Sequence, residues 1–183
     1  MTRKPRLTEA EKRQKRFDDL MENARCYSPY RYIVKYASKD FQRMIRAEAG
    51  ASTESVPYVD KEGNLLRRST SLGCVICVTC GRVGPWQGSY FGGMFHTGHF
   101  VASRVPAIVF EPTNVAPQCA FCNKQEYGAT DRYKIWMIHV HGQDEIDRLN
   151  RLKNDGRDFT LEELVDLRIE YKDRIAAAIK VMK

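Results

Sequence analysis

Apolar residues recur at helical spacing between residues 28 and 50. Most lie three or four positions apart, at Ile33, Val34, Ala37, Phe41, Met44 and Ile45. Ser28 and Pro29 are typical of an N-cap and a first helical turn, and Gly50 is typical of a helix end. The pattern therefore predicts one amphipathic helix over 30–49.

Helical periodicity returns in the last third of the chain. Thr160 and Glu163 have the spacing of a capping box, which marks the start of the last helix. The predicted helices cover residues 131–141, 143–154 and 160–182. We expect them to pack on the 30–49 helix.

The middle of the chain lacks long helical periodicity. Residues 51–72 are polar and turn-rich; Asp60, Gly63 and Asn64 are compatible with a short hairpin, but we assign a loop or insertion. Short β-rich runs follow, at 94–101 and 107–111. The chain thus divides into a basic arm (1–27), an amphipathic helix (28–50), a loop or insertion (51–73), a cysteine-rich core (74–128) and a C-terminal helical region (129–183).

Composition fits a folded, basic protein. With 183 residues and a hydrophobic share of 43%, the chain can form one domain with a core. Lys and Arg number 30 against 23 Asp and Glu, and the net charge of +7 makes nucleic acid the first candidate partner. We find neither a run of about 18 apolar residues nor a signal-peptide pattern, so we expect no membrane insertion and no secretion.

Two CxxC pairs indicate a zinc site in a reducing cytoplasm, where disulfides are rare. The predicted ligands are Cys77, Cys80, Cys119 and Cys122. Cys74 and Cys77 also form a CxxC, but Gly81 permits the sharp turn after Cys80. Four thiolates close the coordination sphere, so the zinc should be structural and contribute folding free energy on the order of 10 kcal/mol. The alternative is a redox dithiol or buried thiols; we expect Cys26 to be a core thiol.

Three polar residues stand in a recognisable order between and after these pairs. The order His99, Asn114, Asn123 resembles the HNH, or His-Me finger, nuclease motif. The resemblance implies an α+β fold with a ββα-metal core, stapled by the four-cysteine zinc site and flanked by long N- and C-terminal α-helices. It also implies that His99 is the general base, that Asn114 braces the catalytic loop, and that Asn123 binds a divalent ion.

The chemistry of phosphodiester hydrolysis is consistent with these residues. A neutral imidazole can take a proton from water near neutral pH, and Mg²⁺ or Mn²⁺ can neutralise the phosphate oxygens. Each residue also has a structural interpretation: His99 as an ordinary hairpin histidine, Asn114 as a turn residue, Asn123 as a polar helix N-terminus. His96 could bind the ion, contact phosphate or lie exposed. His139 and His141 are interpreted as packing residues.

Longer stretches resemble the phage NinG/Rap family: CVTCG, HTGHF and NVAPQCAFCNK, with SPYRYIVKYASKDFQRMIRAEAG before them and YKIWMIHVHGQDEIDRL after them. The family implies a metal-dependent nuclease that nicks branched recombination intermediates, such as Holliday junctions and displacement loops, in the cytoplasm of a bacterial host. The cysteine, His and Asn order also resembles endonuclease VII, which has an Asp where this chain has Gly98. An acidic ligand is therefore missing, so that either Asn123 and phosphate suffice or His96 contributes.

Charge should supply most of the DNA contact, without reading sequence. The candidate residues are Arg3, Lys4, Arg6, Lys12, Arg13, Lys15, Arg16, Arg82, Arg104 and Lys124. A solvated helix face is the alternative interpretation of the arm. Paired nicks in a four-way junction favour a two-fold homodimer. The alternative functions are an HNH nuclease for packaging or restriction-like cutting, and a non-catalytic zinc DNA-binding module.

Overall fold

The computed structural model describes residues 7–87, 95–102, 105–155 and 157–183. Helices and small antiparallel sheets make the protein a mixed α+β fold. The α-helices are α1 (Glu9–Ala24), α2 (Pro29–Tyr32), α3 (Ser38–Gly50), α4 (Pro106–Val109), α5 (Thr130–His141), α6 (Gln143–Leu152) and α7 (Leu161–Val181). The strands are β1 (Val56–Val59), β2 (Leu65–Arg68), β3 (Cys74–Ile76), β4 (Val83–Pro85), β5 (Phe95–His99) and β6 (Val115–Cys119).

Three further turns are helical. Two are π-helical, Ile33–Ala37 and Phe121–Gln125, and one is a 3-10 turn, Pro112–Asn114. The strands pair as three two-stranded antiparallel sheets, β1 with β2, β3 with β4 and β5 with β6. In the part of the chain that the structure describes, no helix is both long enough and apolar enough to cross a membrane.

The predicted 30–49 helix is present, with one irregular turn. The Ser28 side chain caps its start by accepting a hydrogen bond from the backbone N–H of Arg31. The π-helical turn Ile33–Ala37 joins α2 to α3 without a break. The helix ends at Gly50, as expected.

The expected loop over 51–73 contains a β-hairpin, formed by β1 and β2. β1 pairs with β2, and the carboxylate of Asp60 accepts hydrogen bonds from two backbone N–H groups of the connecting turn. Trp136 of α5 donates its ring N–H to the carbonyl of Pro57 at 2.9 Å. Packing against α5 holds the hairpin, and the local sequence carries no sign of that contact.

The expectation of a strand over 107–111 is wrong, because these residues belong to α4 and the turn after it. Pro106 stands in the first helical turn, where its missing N–H has no cost, and Ile108 is fully buried. The strand that pairs with β5 is β6, in which Pro117 lies opposite Thr97. A proline within a run argues against a strand, and this obscured β6.

Of the three predicted C-terminal helices, α7 packs on the 30–49 helix, as predicted, whereas the buried residues of α5 and α6 belong to a different core cluster, with Val59 of β1. Arg168 of α7 is buried and donates hydrogen bonds to the carboxylate of Asp40 and to the hydroxyl of Tyr32, both at 2.7 Å. Apolar residues of α3, α7 and the β5–β6 hairpin share one core cluster, which includes Phe41, Phe95 and Tyr171. The helices therefore form a support on which the hairpin lies.

The basic arm, expected over 1–27, is helical from Glu9 to Ala24, and residues 1–6 lie outside the described ranges. α1 begins with a capping box that sequence analysis did not identify, in which Thr8 and Glu11 cap each other's backbone N–H groups. Further along the helix, Arg13 and Arg16 form ion pairs with two aspartates of α7, at 2.7 Å and 2.8 Å. α1 is thus attached to α7.

Candidate functional site

The four predicted zinc ligands lie together. The thiol sulfurs of Cys77, Cys80, Cys119 and Cys122, here called the four-cysteine group, all lie within 4.8 Å of one another. The first two come from the turn after β3, and the last two come from the end of β6 and the π-helical turn after it. Gly81 follows the first pair with a φ of +69°, and a Cβ there would lie 2.3 Å from the Tyr58 ring. The positive φ and the close approach of the Tyr58 ring both favour glycine at position 81.

The geometry of the four-cysteine group fits zinc. Zn–S bonds of ~2.3 Å in a tetrahedron place the sulfurs ~3.8 Å apart, and the Sγ atoms of Cys80 and Cys119 are 3.7 Å apart. Side-chain hydrogen bonds from Cys122 and from the other two thiols lower the pKa of Cys119, which favours a thiolate. The group could therefore hold a structural zinc ion through all four sulfurs.

Two other cysteines take no part in this group. Cys74 is half-buried at the start of β3, so the choice of Cys77 and Cys80 as the first pair is confirmed. Cys26 is exposed, and its thiol lies 3.2 Å from the carbonyl of Asn23. The expectation that Cys26 is a core thiol is wrong, because it lies in the surface turn between α1 and α2.

His99 is the last residue of β5 and lies opposite Val115 of β6. It lines a cavity of about 380 Å³ together with α2 and α3 residues, among them Tyr30 and Gln42. Its Nε2 atom is buried and has no hydrogen-bond partner. Burial lowers its pKa below the ordinary 6.5, although a hydrogen bond to the backbone of Val109 acts in the opposite direction. The imidazole is therefore neutral at neutral pH, with one nitrogen free.

Asn114 holds the segment that follows His99. Its side chain is fully buried. The Oδ1 atom accepts a hydrogen bond from the N–H of Val101 at 2.8 Å, and Nδ2 donates to the carbonyl of the same residue at 3.2 Å. Its own carbonyl accepts from the N–H of Phe100, also at 2.8 Å. Three hydrogen bonds thus fix the backbone directly after His99.

His96 and His99 do not face the same side of the hairpin. Side chains alternate along a strand, and β5 pairs with β6 without a bulge from Phe95 to His99. The Nε2 atom of His96 is also buried and unpartnered. Burial lowers the pKa of His96, and the charges of Lys124 and Arg46 lower it further. Two neighbouring cations oppose cation binding, so the geometry argues against His96 as a metal ligand shared with His99.

Asn123 lies in the π-helical turn after β6 and is half-buried. It is not among the residues that line the cavity beside His99. An unpredicted oxygen also lies in this hairpin: the Oε1 atom of Gln118 is buried without a partner, while its Nε2 donates to Thr79 and to the carbonyl of Gly128. Amide oxygens suit Mg²⁺ and Mn²⁺, but Gln118 lies opposite His96 in the β5–β6 pairing and therefore faces away from His99.

Acidic residues are absent from the centre of the sequence. From Gly63 to Phe110 the chain contains no Asp or Glu. Among the described residues, the four-cysteine group is the one set of three or more His, Cys, Asp or Glu side chains close enough to share a metal ion. A divalent ion near His99 would therefore take most of its ligands from water and from phosphate.

The predicted DNA-contacting residues fall into three groups. Four lie outside the described ranges: Arg3, Lys4, Arg6 and Arg104. Three are exposed with no ion pair among the described residues: Lys15, Arg82 and Lys124. The other three form intramolecular ion pairs: Lys12 with Glu9, Arg13 with Asp166 and Arg16 with Asp173. The last group is less available for phosphate than the sequence indicates.

The two histidines at the end of α5 differ in environment. His141 is half-buried and meets the Trp136 ring edge to face at 5.5 Å, so its packing role is confirmed. His139 is exposed, so the packing expectation is wrong for this residue. In an amphipathic helix, two residues that are two positions apart face different directions.

Sequence analysis missed Arg46 as well as Gln118. Arg46 lies on α3 and donates hydrogen bonds to the carbonyl of Trp86 and to the hydroxyl of Thr97, at 3.2 Å and 3.0 Å. Helical periodicity places Arg46 next to apolar residues on the inner side of α3. A cation at such a position, opposite a chain segment without carboxylates, was the available signal.

Comparison with known proteins places the chain in a family. A family model described as bacteriophage lambda NinG protein matches residues 58–181, which include most of the segment expected to be an insertion. Protein ninG of Escherichia phage lambda is 26% identical over 100 residues, which cover 54% of this chain and 45% of the relative. Protein ninG of Escherichia phage 933W is 25% identical over 100 residues, with 54% and 46% covered.

The chain spans about half the length of the curated relatives it matches. No solved structure matches it. The matched region contains all four cysteines of the group, the β5–β6 hairpin and α7. Since the family model covers more than half of the sequence, this chain belongs to the NinG family of phage lambda.

Proposed function

We propose that this protein is a divalent-metal-dependent DNA endonuclease of the HNH type that nicks branched recombination intermediates such as Holliday junctions and displacement loops. The observation that carries the proposal is the environment of His99. Its Nε2 atom has no partner, its pKa is lowered by burial, and Asn114 holds the backbone after it. A neutral imidazole with a free nitrogen can accept a proton, as a general base must.

In the proposed reaction, His99 Nε2 accepts a proton from a water molecule. The water oxygen forms a bond to phosphorus while a backbone P–O bond breaks, and the leaving oxygen acquires a proton from solvent. A bound Mg²⁺ or Mn²⁺ ion supplies positive charge to the phosphate oxygens. Asn123 is the proposed protein ligand. Its neutral amide does not neutralise the ion, so the charge stays available to the substrate.

The other parts of the protein have supporting roles in this proposal. A zinc ion in the four-cysteine group holds the strand that pairs with β5. Lys15, Arg82 and Lys124 provide exposed positive charge for phosphates. Selectivity for branched DNA is taken from the family resemblance. The two equivalent strands that a four-way junction presents for paired nicks favour a homodimer.

The decisive experiment compares His99→Ala with His139→Ala. The second variant removes an exposed imidazole of α5 and serves as the matched control. Both variants should keep zinc and junction affinity, but only His99→Ala should lose nicking, by about two orders of magnitude or more. Equal nicking by His99→Ala and the wild type would end the proposal.

Substrate choice is tested separately. Nicking of a four-way junction, a displacement loop and a linear duplex should be compared at matched salt, since phosphate contacts make all three salt-dependent. We expect faster nicking of the branched substrates. Equal rates on all three substrates would support nuclease activity without branch selectivity. That result is expected of an HNH enzyme for packaging or restriction-like cutting.

A non-catalytic zinc DNA-binding module is the second candidate. The lack of Asp and Glu from Gly63 to Phe110 favours it, because most divalent-ion sites use a carboxylate. The module predicts DNA binding with no nicking in Mg²⁺ or Mn²⁺. It therefore predicts no difference between the two histidine variants in any DNA measurement.

A further inference from the structure

The cavity that adjoins His99 is bounded by both apolar and hydrogen-bonding side chains. It measures about 380 Å³ and lies between the end of β5, the 30–49 helix and the start of α4. Its apolar walls include Ile33, Val34, Pro106 and Val109. Pockets that bind small molecules usually measure about 300–1,000 Å³. The proposed general base therefore borders a space of ligand size.

One stripe of the 30–49 helix forms a wall of this cavity. Tyr30, Val34, Ser38 and Gln42 follow one another at intervals of four residues, and all four line the cavity. Residues at this spacing are neighbours on one face of a helix. The π-helical turn Ile33–Ala37 lies within the same stretch, and such turns are frequent at functional sites. The stripe changes from apolar to polar along its length.

The apolar end of the stripe is exposed to solvent. Tyr30 and Val34 have relative exposures of 54% and 55%, whereas Ile33, between them, is buried. A second cavity, of about 310 Å³, also borders Tyr30. Within the part of the chain that the structure describes, the Tyr30 ring has no aromatic or cation–π contact and its hydroxyl has no hydrogen bond. An exposed aromatic ring beside an open cavity can stack on a flat ligand.

The polar end of the stripe is held against the strand that carries His99. Thr97 lies on the same face of β5 as His99. Its hydroxyl donates to the backbone carbonyl of Gln42 at 2.8 Å and accepts from the Arg46 guanidinium at 3.0 Å. Among the described residues, no group forms a hydrogen bond with the side-chain amide of Gln42 or the hydroxyl of Ser38. Both side chains are therefore available to a ligand, in a wall that is already in place.

We propose that this cavity, here called the Tyr30 cavity, binds one unstacked nucleobase at a DNA branch point, beside the phosphate on which His99 acts. A nucleobase is flat and aromatic, with hydrogen-bond donors and acceptors along its edge. Tyr30 stacks on the base, and Ser38 and Gln42 bind its edge. A hydroxyl and an amide each both donate and accept, so the cavity can take any of the four bases.

Branched DNA supplies such a base more readily than a linear duplex. Extrusion of a base from a duplex costs pairing and stacking energy, and the cost is least for a base that is already unpaired. The Tyr30 cavity would thus favour branched DNA without reading its sequence. This inference deepens the proposed nuclease function and rests on it, because that function brings a DNA strand to His99.

The first test measures DNA binding in EDTA, so that no strand is cut. A four-way junction and a linear duplex of matched sequence are titrated with the wild type, Tyr30→Ala, Tyr30→Phe and Tyr127→Ala. Tyr127 is 89% exposed and does not line the cavity, so it provides the matched control. Tyr30→Ala should weaken junction binding about tenfold through lost stacking and leave duplex binding unchanged. Tyr30→Phe keeps the ring and, like Tyr127→Ala, should bind both DNAs as the wild type does. Equal losses of Tyr30→Ala on both DNAs, or no loss, would overturn the proposal.

An abasic junction tests whether the ligand is a base. Each nucleotide next to the branch point is replaced in turn by an abasic nucleotide, which keeps the phosphate and removes the base. At one position the wild type should lose about as much affinity as Tyr30→Ala loses on the intact junction. Both changes together should cost no more than either alone, because they remove the same contact. Additive losses at every position would show that Tyr30 contacts another part of the DNA, which contradicts the proposal.

Two further measurements cover the remaining outcomes. Should Tyr30→Ala fail to fold, the wild type is titrated into junctions that carry a fluorescent adenine analogue next to the branch point. The emission should change at one position, and unchanged emission at every position would overturn the proposal. A fall from dimer to monomer in the solution mass of Tyr30→Ala without DNA would assign the cavity to a contact between two copies instead. None of these tests needs cleavage, so the result for the Tyr30 cavity and the His99→Ala result are separate.

Discussion

Gly98 and Gln118 face each other so closely that a side chain at position 98 has no room. A Cβ on Gly98 would lie 1.9 Å from the Oε1 atom of Gln118. The amide of Gln118 is itself fixed, because its Nε2 donates to Thr79 and to the carbonyl of Gly128. This explains why position 98 is occupied by glycine.

Gly98→Ala should therefore destabilise the protein, and Gln118→Ala should relieve the clash. Overpacking of this kind costs about 1–3 kcal/mol. The free energy of unfolding, measured by denaturant titration for both single variants and the double variant, gives the coupling between the two positions. Additive effects in the double variant would show that the two side chains do not compete for space.

Zinc content should follow the four-cysteine group and no other cysteine. Cys119→Ser should lose the metal and most of the folded structure, because the group holds the end of β6. Cys74→Ser is the matched control, since Cys74 is a neighbouring cysteine outside the group. Metal analysis and circular dichroism of both variants check this; loss of zinc in Cys74→Ser would reverse our assignment of the first pair.

Asn114→Ala should reduce both stability and nicking. The variant leaves the backbone N–H and carbonyl of Val101 buried without partners, at a cost of about 1–3 kcal/mol. Nicking should fall more than junction affinity, because the change displaces the strand end that carries His99. Asn114→Asp should also destabilise the protein, because it places a carboxyl group at a fully buried position and turns one of its oxygens toward the carbonyl of Val101. Full nicking by a folded Asn114→Ala variant would contradict the bracing role.

Acid should destabilise the protein partly through His99. Its folded-state pKa lies below the ordinary 6.5, mainly because it is buried. Between those two values the unfolded chain binds more protons than the folded chain, so the free energy of unfolding falls as the pH drops below about 6.5. His99→Gln should flatten this dependence. Parallel pH profiles for the wild type and His99→Gln would show that the His99 pKa is not lowered.

The helices and the zinc ligands could be predicted because their signals are local. Caps and apolar spacing give α7 from its own residues, and the CxxC spacing gives the four-cysteine group. The β6 strand and α4 depend on distant partners: Pro117 looks unsuitable for a strand until its carbonyl meets the N–H of Val78. In the same way, only the folded structure shows that the Arg46 guanidinium has no carboxylate partner among the described residues. Tertiary contacts determine these features, and such contacts cannot be read from the periodicity of the sequence.

The position of Cys119 in the sheet has a consequence for the timing of activity. Cys119 ends β6 and lies opposite Phe95, the first residue of β5, so the metal site and the hairpin share a residue. If the four-cysteine group holds zinc, a newly synthesised chain lacks this clamp until it binds the ion, and until then the strand that carries His99 is not held in place. On the proposed function, the supply of zinc in the infected cell would set when the protein begins to cut DNA.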